Sequence, residues 1–344
     1  MMPFPFLPNN ILLRSTNWIG DAVMTTPALR TVRRNLPTAR ITLLALPWVA
    51  DIFAACPHLD RIVVYDKQGR HRGLRGRLRL AAELRAEHYD LAILLQNAFE
   101  AALITCLARI PARAGYTTDG RGLLLTHGVQ KAPDIGTRHQ VEYYQEMLVG
   151  LGLERGPDEL ELFLQPAAVE TAAVLLEQGS DRPVIGLNPG AAYGPAKRWP
   201  SGKYAALAAR LEAETGGLIV VFGTQADQAA AAEIGAAVKG RAVDLTGRTS
   251  LAEAVACIAR CAVFISNDSG LMHVAAALNT PLVAVFGSTD HIATGPFSQR
   301  KVVIRHPLPC SPCLKTHCPQ GHLRCMDLVS VEETAEAALD LLAR

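Results

Sequence analysis

From Ile11 to Phe286, short runs of Val, Ile and Leu alternate with longer stretches of helical period, and the alternation occurs twice. Such runs read as strands buried on both faces, and a helical stretch between one strand and the next makes neighbouring strands parallel. The first half offers strands at Ile11–Arg14, Ile41–Leu46, Arg61–Tyr65 and Asp90–Leu95. Helices lie between them over Ala22–Leu36, where Leu29, Val32 and Leu36 share a face, and over Leu74–Glu87. The second half offers strands at Val184–Leu187, Leu218–Phe222, Val243–Leu245, Val263–Ser266 and Leu282–Phe286. Its helices are expected over Gly202–Thr215, Gln225–Val238, Leu251–Arg260 and Leu271–Leu278. A helix over Ala167–Glu177 links the halves, Gly179–Pro183 punctuates them, and an amphipathic helix over Val331–Leu342 closes the chain. The reading is α/β: a doubly wound domain at 1–165, a linker at 166–182, a second such domain at 183–330 and a last helix at 331–344.

With 344 residues, 49% of them hydrophobic and 19% charged, each half is long and apolar enough for its own core, which excludes disorder as the dominant state. The formal charge of +2 is far from the excess of a protein whose whole surface tracks nucleic acid, so an anionic partner must meet a local patch. No run approaches the roughly 18–20 apolar residues of a membrane span. Met1–Asn10 is proline-rich without a basic residue, unlike a secretory signal, and a cytoplasmic location is expected. Eight cysteines are too sparse for a disulfide scaffold and should be reduced there.

Ligands of open parallel sheets gather beyond the carboxyl ends of the strands, so the chemistry is expected in strand-to-helix loops. No G-x-G-x-x-G follows the first strand, and neither G-x-x-x-x-G-K-[ST] nor H-E-x-x-H occurs. Their absence argues against a dinucleotide dehydrogenase, a P-loop NTPase and a zinc protease of that type.

Three loops carry chemistry. In Ser15–Asp21, directly after the first strand, Asp21 either caps the following helix or takes a proton from an incoming hydroxyl. In Asn188–Pro200, small residues let backbone amides approach an anion while Lys197 and Arg198 supply charge; the plain alternative is a Gly/Pro-rich surface loop. In Ser266–His273, the helix start at Ser269 and Gly270 favours a diphosphate. Asp268 there is better suited to sugar hydroxyls, and His273 lies one turn into the helix.

These three loops together, Trp18-Ile19-Gly20-Asp21, Asn188–Pro200 and Asn267–Leu278, resemble the ADP-heptose:lipopolysaccharide heptosyltransferases, most closely those of type II. The resemblance spans roughly Ile11 to Asp290. It implies a GT-B fold, two Rossmann-like domains facing a central cleft, the first binding the acceptor and the second ADP-heptose. It further implies metal-independent transfer with inversion, adding the second heptose to heptosylated Kdo-lipid A, with peripheral contact at the cytoplasmic face of the inner membrane. By matching positions, it implies Asp21 as the base, Lys197 as the diphosphate lysine and Asp268 as a donor-sugar contact. Asn188, Gly190, Ala192, Tyr193, Ser269, Gly270 and His273 complete the donor loops, with Asp227, Thr246, Gly247 and Thr249 toward adenosine. The chemistry agrees: displacement of ADP from a sugar carbon develops oxocarbenium character, and a diphosphate leaves without a protonating acid. What it needs is charge stabilisation, which Lys197 and the helix start can supply without magnesium.

Two segments stand apart. Lys67–Arg79 carries Lys67, Arg70, Arg72, Arg75, Arg77 and Arg79 without an acid. It reads as a solvated helix start or as an acceptor patch at Arg70, Arg72, Arg75 and Arg77; lacking interleaved aromatics, it argues against nucleic acid. Cys310-x2-Cys313-x4-Cys318-x6-Cys325 has the spacing of a closed metal site, a structural zinc, but also of free thiols or a redox disulfide. The more familiar type II enzymes lack it. Cys56, Cys106, Cys257 and Cys261 read as core packing. Competing functions are another nucleotide-sugar enzyme of the same fold, such as an epimerase, and a non-enzymatic cysteine-site or nucleic-acid-binding protein.

Overall fold

The structure, a computed structural model, describes residues 7–176, 182–240 and 242–344; Glu177 and the 179–181 part of the expected break lie outside the described residues. The chain divides between Phe163 and Leu164 into two compact units.

In the first unit six parallel strands, β1 (Asn10–Arg14), β2 (Arg40–Ala45), β3 (Arg61–Val64), β4 (Leu91–Leu94), β5 (Ala112–Tyr116) and β6 (His127–Val129), form a sheet in the order β3-β2-β1-β4-β5-β6. The central strand β1 buries Ile11, Leu12 and Leu13 on both faces, as a strand covered by helices on each side must. The single helix expected over Ala22–Leu36 is two, Ile19–Met24 and Thr26–Asn35. Pro27 has no N–H for the Val23 carbonyl, and the Thr26 hydroxyl donates to that carbonyl instead at 2.9 Å. Strands β5 and β6 escaped the sequence reading because Arg113, Gly115, His127 and Gly128 break their apolar runs.

The second unit holds β7 (Val184–Asn188), β8 (Leu218–Val221), β9 (Val243–Asp244), β10 (Val263–Asn267), β11 (Leu282–Val285) and β12 (Lys301–Ile304), again all parallel, in the order β12-β11-β10-β7-β8-β9. By rank this is the order of the first sheet, and it is the Rossmann order. Its core packs Ile185, Leu187, Val263 and Ile265 against Trp199, Tyr204, Leu207 and Leu211. The last helix, Val331–Leu342, adds Ala335, Ala338 and Leu341 to the same core and packs on the Ser201–Thr215 helix. The helix expected to link the halves, Pro166–Leu175, packs on Leu251–Ala259 and so belongs to the second unit.

In each sheet the strand order reverses between two neighbours, β1 and β4 in the first and β7 and β10 in the second. The loops leaving these strands at their carboxyl ends are Ser15–Trp18 with the helix turn that carries Asp21, Leu95–Ala98, Pro189–Pro200 and Asp268–Ser269. Three of the four are the loops that sequence reasoning singled out. Among the described residues no helix is long and apolar enough to cross a membrane.

Candidate active site

In the first unit, Asp21 sits in the first turn of the Ile19–Met24 helix, half-buried. It lies close enough to Tyr144 that its charge, after burial, helps push that phenol's pKa up. The loop before it is fixed from below by Arg14, the last residue of β1, which is 2% exposed. Its guanidinium donates to Ser15 O at 2.5 Å and to Asn17 Oδ1 at 3.0 Å, and lies 5.6 Å from the Tyr65 ring centroid. Burial lowers its pKa to about 10, with Tyr65 and Glu100 opposing, so it stays charged at neutral pH. Trp48 Nε1 donates to Asn17 O at 2.9 Å. On the β4 side, fully buried Arg121 donates to Gln96 O, to Asn97 Oδ1 at 2.6 Å and to Tyr116 O at 2.8 Å. Sequence reasoning missed Arg14, Asn17, Asn97 and Arg121. For Arg14 the available signal was a charged residue ending an otherwise apolar strand; the other three lie in loops and turns that carry no such mark.

In the second unit the two central strands bring their loops together by register, since Asn188 of β7 pairs with Ser266 of β10. Asn188 Nδ2 donates to Ser266 Oγ at 2.9 Å and to Ser269 Oγ at 2.7 Å. Asn267 ties the other side, donating to Pro189 O at 2.7 Å and accepting from Trp199 N at 3.0 Å. This frame presents Lys197, whose Nζ lies 2.6 Å from Asp268 Oδ2 and 4.8 Å from the Tyr193 ring centroid. Thr289 Oγ1 donates to the same Asp268 oxygen at 2.6 Å; this threonine too was missed. Ser269 caps the Gly270–Ala277 helix by accepting from Met272 N, and His273 is buried in that helix.

The residues expected toward adenosine lie on neighbouring loops of the second unit. Asp227 accepts from Thr224 N and Oγ1, both at 2.9 Å, and lies 3.6 Å from Arg198. A side chain at Gly190 would collide with the Asp227 carboxylate, so this approach requires glycine. Thr246 is buried and donates to Asp244 Oδ1; Gly247 takes φ +67°, and its amide donates to Gly223 O at 3.1 Å. Thr249 is half-buried and Ala192 exposed on their loops.

The basic segment is less cationic than its sequence. Glu83 and Glu100, both outside it, pair with Arg70 at 2.5 Å, Lys67 at 2.6 Å and Arg77 at 2.6 Å, while Arg72 and Arg75 stand exposed. Burial alone would raise the Glu100 pKa, but Lys67 and Arg77 hold it below the usual carboxylate range. The four cysteines of the last segment line one small cavity with Ala196 and Ser288. Among the described residues, however, no group of three or more His, Cys, Asp or Glu side chains is already set as a metal site, so the expected zinc set is not formed. Of the other cysteines Cys257 and Cys261 are buried, while Cys56 and Cys106 are only partly so.

Residues 77–324 match the family model of glycosyltransferase family 9 (heptosyltransferase), well over half the chain. The chain belongs to that family. Lipopolysaccharide heptosyltransferase 2 of Salmonella typhimurium is 36% identical over 306 residues, covering 86% of this chain and 87% of that one. Lipooligosaccharide heptosyltransferase 2 of Haemophilus ducreyi is 36% identical over 315 residues, covering 86% and 88%. The solved structure of E. coli ADP-heptose lipopolysaccharide heptosyltransferase II superposes with a TM-score of 0.81 at 31% identity, covering 97% of this chain and 98% of that one. This family 9 protein is therefore a glycosyltransferase, and its paired Rossmann-like units are those that the resemblance implied.

Proposed function

We propose that this family 9 enzyme moves a heptose from ADP-heptose onto the heptosylated Kdo-lipid A inner core of lipopolysaccharide, with inversion at the anomeric carbon. One observation carries the reading: both sheets share one strand order, and the acid of one and the lysine and helix start of the other leave their switch-point strands. Relatives at 33–36% identity are heptosyltransferases 2, which favours lipopolysaccharide heptose transfer over an epimerase.

In this proposal the first unit binds the acceptor and the second the donor. The acceptor oxygen attacks the anomeric carbon, a new C–O bond forms as the bond to the diphosphate breaks, and the hydroxyl proton passes to the Asp21 carboxylate. ADP departs with its own charge. Lys197 and the backbone amides following Ser269 meet that charge, and Asp268 holds Lys197 in place while presenting its other oxygen to the donor sugar. Asn188, Gly190, Ala192, Tyr193, Gly270 and His273 shape the donor loops; Asp227, Thr246, Gly247 and Thr249 serve the adenosine end. These groups suffice for the charge, so transfer is expected to proceed equally with and without added magnesium.

The acceptor is a membrane lipid, and the Gly73–Ala86 helix suits peripheral contact with an anionic cytoplasmic leaflet. Leu74 and Leu78 are 66% and 47% exposed there beside Arg72 and Arg75. The test is incubation with ADP-heptose and heptosylated Kdo-lipid A, weighing the lipid product. A gain of one heptose residue and acceptor-dependent ADP release support the reading; ADP release or epimerisation without acceptor overturns it.

A further inference from the structure

Between buried Ile304 and buried Cys325, none of residues 305–324 is buried, and residues 305–323 form neither helix nor strand. A loop of that length without a core or ladder needs another source of order. Yet it makes specific contacts. Leu314 N donates to Ser288 O at 2.8 Å, Ser311 Oγ to Gly287 O at 2.5 Å, Ala196 N to Thr316 O at 3.1 Å and Tyr193 OH to Leu314 O at 2.9 Å.

Inside this loop the thiols of Cys310, Cys313, Cys318 and Cys325 line one cavity of about 10 Å³, and none is in a disulfide. Gly321 N donates to Cys318 O at 3.1 Å, closing a turn behind Cys318. Leu314, directly after Cys313, and Leu323 take φ of +55° and +48°, left-handed conformations that leucine holds only when its surroundings demand it. His322 also reaches the cavity, but its ring is engaged by Gln320 Oε1 at 2.6 Å and by Arg324 N at 3.1 Å.

We propose that Cys310, Cys313, Cys318 and Cys325 form a tetrathiolate site for one divalent thiophilic ion, zinc or iron, and that this ion fixes the shape of the Tyr193–Lys197 loop. Four cysteines around one small cavity match the four-sulfur tetrahedral set of a single zinc or iron ion. The thiols close on the ion by side-chain rotation, to about 2.3 Å each, and each proton lost as a sulfur–metal bond forms goes to solvent. No oxidant or reductant is consumed. The way in is the adjoining open pocket of about 270 Å³, lined by Cys310, Gln320, His322 and Arg324.

The link to Lys197 is steric as well as hydrogen-bonded. A side chain at Gly194 would run into the Thr316 carbonyl, and one at Gly287 into Met326 and the Cys325 sulfur. The cysteine loop thus buttresses both the Lys197 loop and the turn carrying Thr289. This second half of the proposal rests on assigning that loop to the donor; the metal site does not.

The experiment is elemental analysis of the full chain, purified without chelator and then reconstituted anaerobically under reducing conditions with zinc or ferrous iron. About one equivalent is expected, released in step with four thiols on mercurial titration, and a thiolate-to-iron absorption band separates iron from zinc. Less than about a tenth of an equivalent, or a disulfide among the four, overturns the site. Cys313→His, which keeps a ligand, should retain the ion, whereas Cys313→Ser should lose about tenfold or more in metal affinity. ADP affinity of the wild-type chain should weaken about tenfold on metal removal and return on refilling. Unchanged affinity overturns the buttress alone. A metal-loaded chain that never binds ADP overturns instead the functional reading, a different result.

Discussion

Lys197 Nζ lies 2.6 Å from Asp268 Oδ2, in a pair whose side chains are 14% and 5% exposed. So buried a cation is both held in position and strongly paired, because solvent screens the pair poorly. A diphosphate bound as proposed must share the lysine with Asp268.

That sharing separates two variants. In the proposed donor site Lys197→Ala removes the charge assigned to the diphosphate, so ADP affinity and turnover should fall together, by about 10²-fold in turnover. Asp268→Asn removes a competing negative charge but also the lysine's anchor. ADP affinity should hold or tighten while turnover drops about tenfold or more. Because the two residues act as one unit, the double variant should be no worse than Lys197→Ala, a non-additivity read from kcat and calorimetric Kd. Strict additivity would show that the pair does not operate jointly.

Asp21 is tested by changing its basicity without its shape. Asp21→Asn should cut turnover about 10²-fold or more while leaving ADP-heptose affinity in place, since the residue belongs to the unit assigned to the acceptor. Near-normal turnover would return Asp21 to the role of helix-start residue.

The loops that carry these residues were legible from the sequence for a simple reason. Each follows a run of apolar residues long enough to read as a strand, and each combines glycine with an acid, a lysine or a serine. What holds them was not legible. Arg14 looks like the polar end of β1 until the fold buries it beneath Asn17, and Thr289 reaches Asp268 only because β11 lies beside β10. Edge strand β12 is another miss, since four residues after an irregular stretch give too short a pattern to distinguish from loop. The charge of Lys67–Arg79 was misjudged because Glu83 and Glu100 enter its neighbourhood through the fold, 13 and 23 positions beyond Arg70 and Arg77.

The basic segment therefore divides into two kinds of arginine. Arg72 and Arg75 are exposed, and in the proposed acceptor patch they act by long-range attraction, so replacing both by Gln should raise the acceptor KM about threefold to tenfold at low salt, with less effect near physiological salt, where the Debye length is about 8 Å. The donor KM should not move. Arg77 is bound to Glu100, and Arg77→Gln should instead lower the melting temperature with little change in acceptor KM. The sign with pH follows from Glu100: its folded pKa is depressed, so its stabilising pairing is present above the ordinary carboxylate pKa of about 4.3 and is lost as pH falls through the lower folded value. Arg77→Gln should thus cost stability at pH 7 and progressively less on acidification. Equal acceptor KM in the Arg72/Arg75 double variant and wild type at low salt would make those two a solvated face only.

Trp199 joins the Asn188–Pro200 loop to the segment before the last helix, and its loss should show in stability before chemistry. It is 1% exposed, packs edge-on to Tyr204 with ring centroids 5.0 Å apart, and its indole N–H donates to Val329 O at 3.1 Å. Trp199→Ala removes the ring and leaves a cavity, costing about 3–5 kcal/mol. Trp199→Phe keeps an aromatic ring and loses the indole hydrogen bond, but Lys203 Nζ still donates to Val329 O at 2.7 Å, so that carbonyl keeps a partner. The cost should be near the low end for a lost bond, about 1 kcal/mol, or roughly 2–4 °C in melting temperature for a unit of this size. Thermal unfolding followed by near-ultraviolet circular dichroism ranks the two. The backbone N–H of Trp199 still bonds Asn267 Oδ1 in both, so the Phe variant should retain most of its ADP affinity below its melting point. A Phe variant as unstable as the Ala variant would mean that the indole bond, not the packing of the ring, anchors the loop.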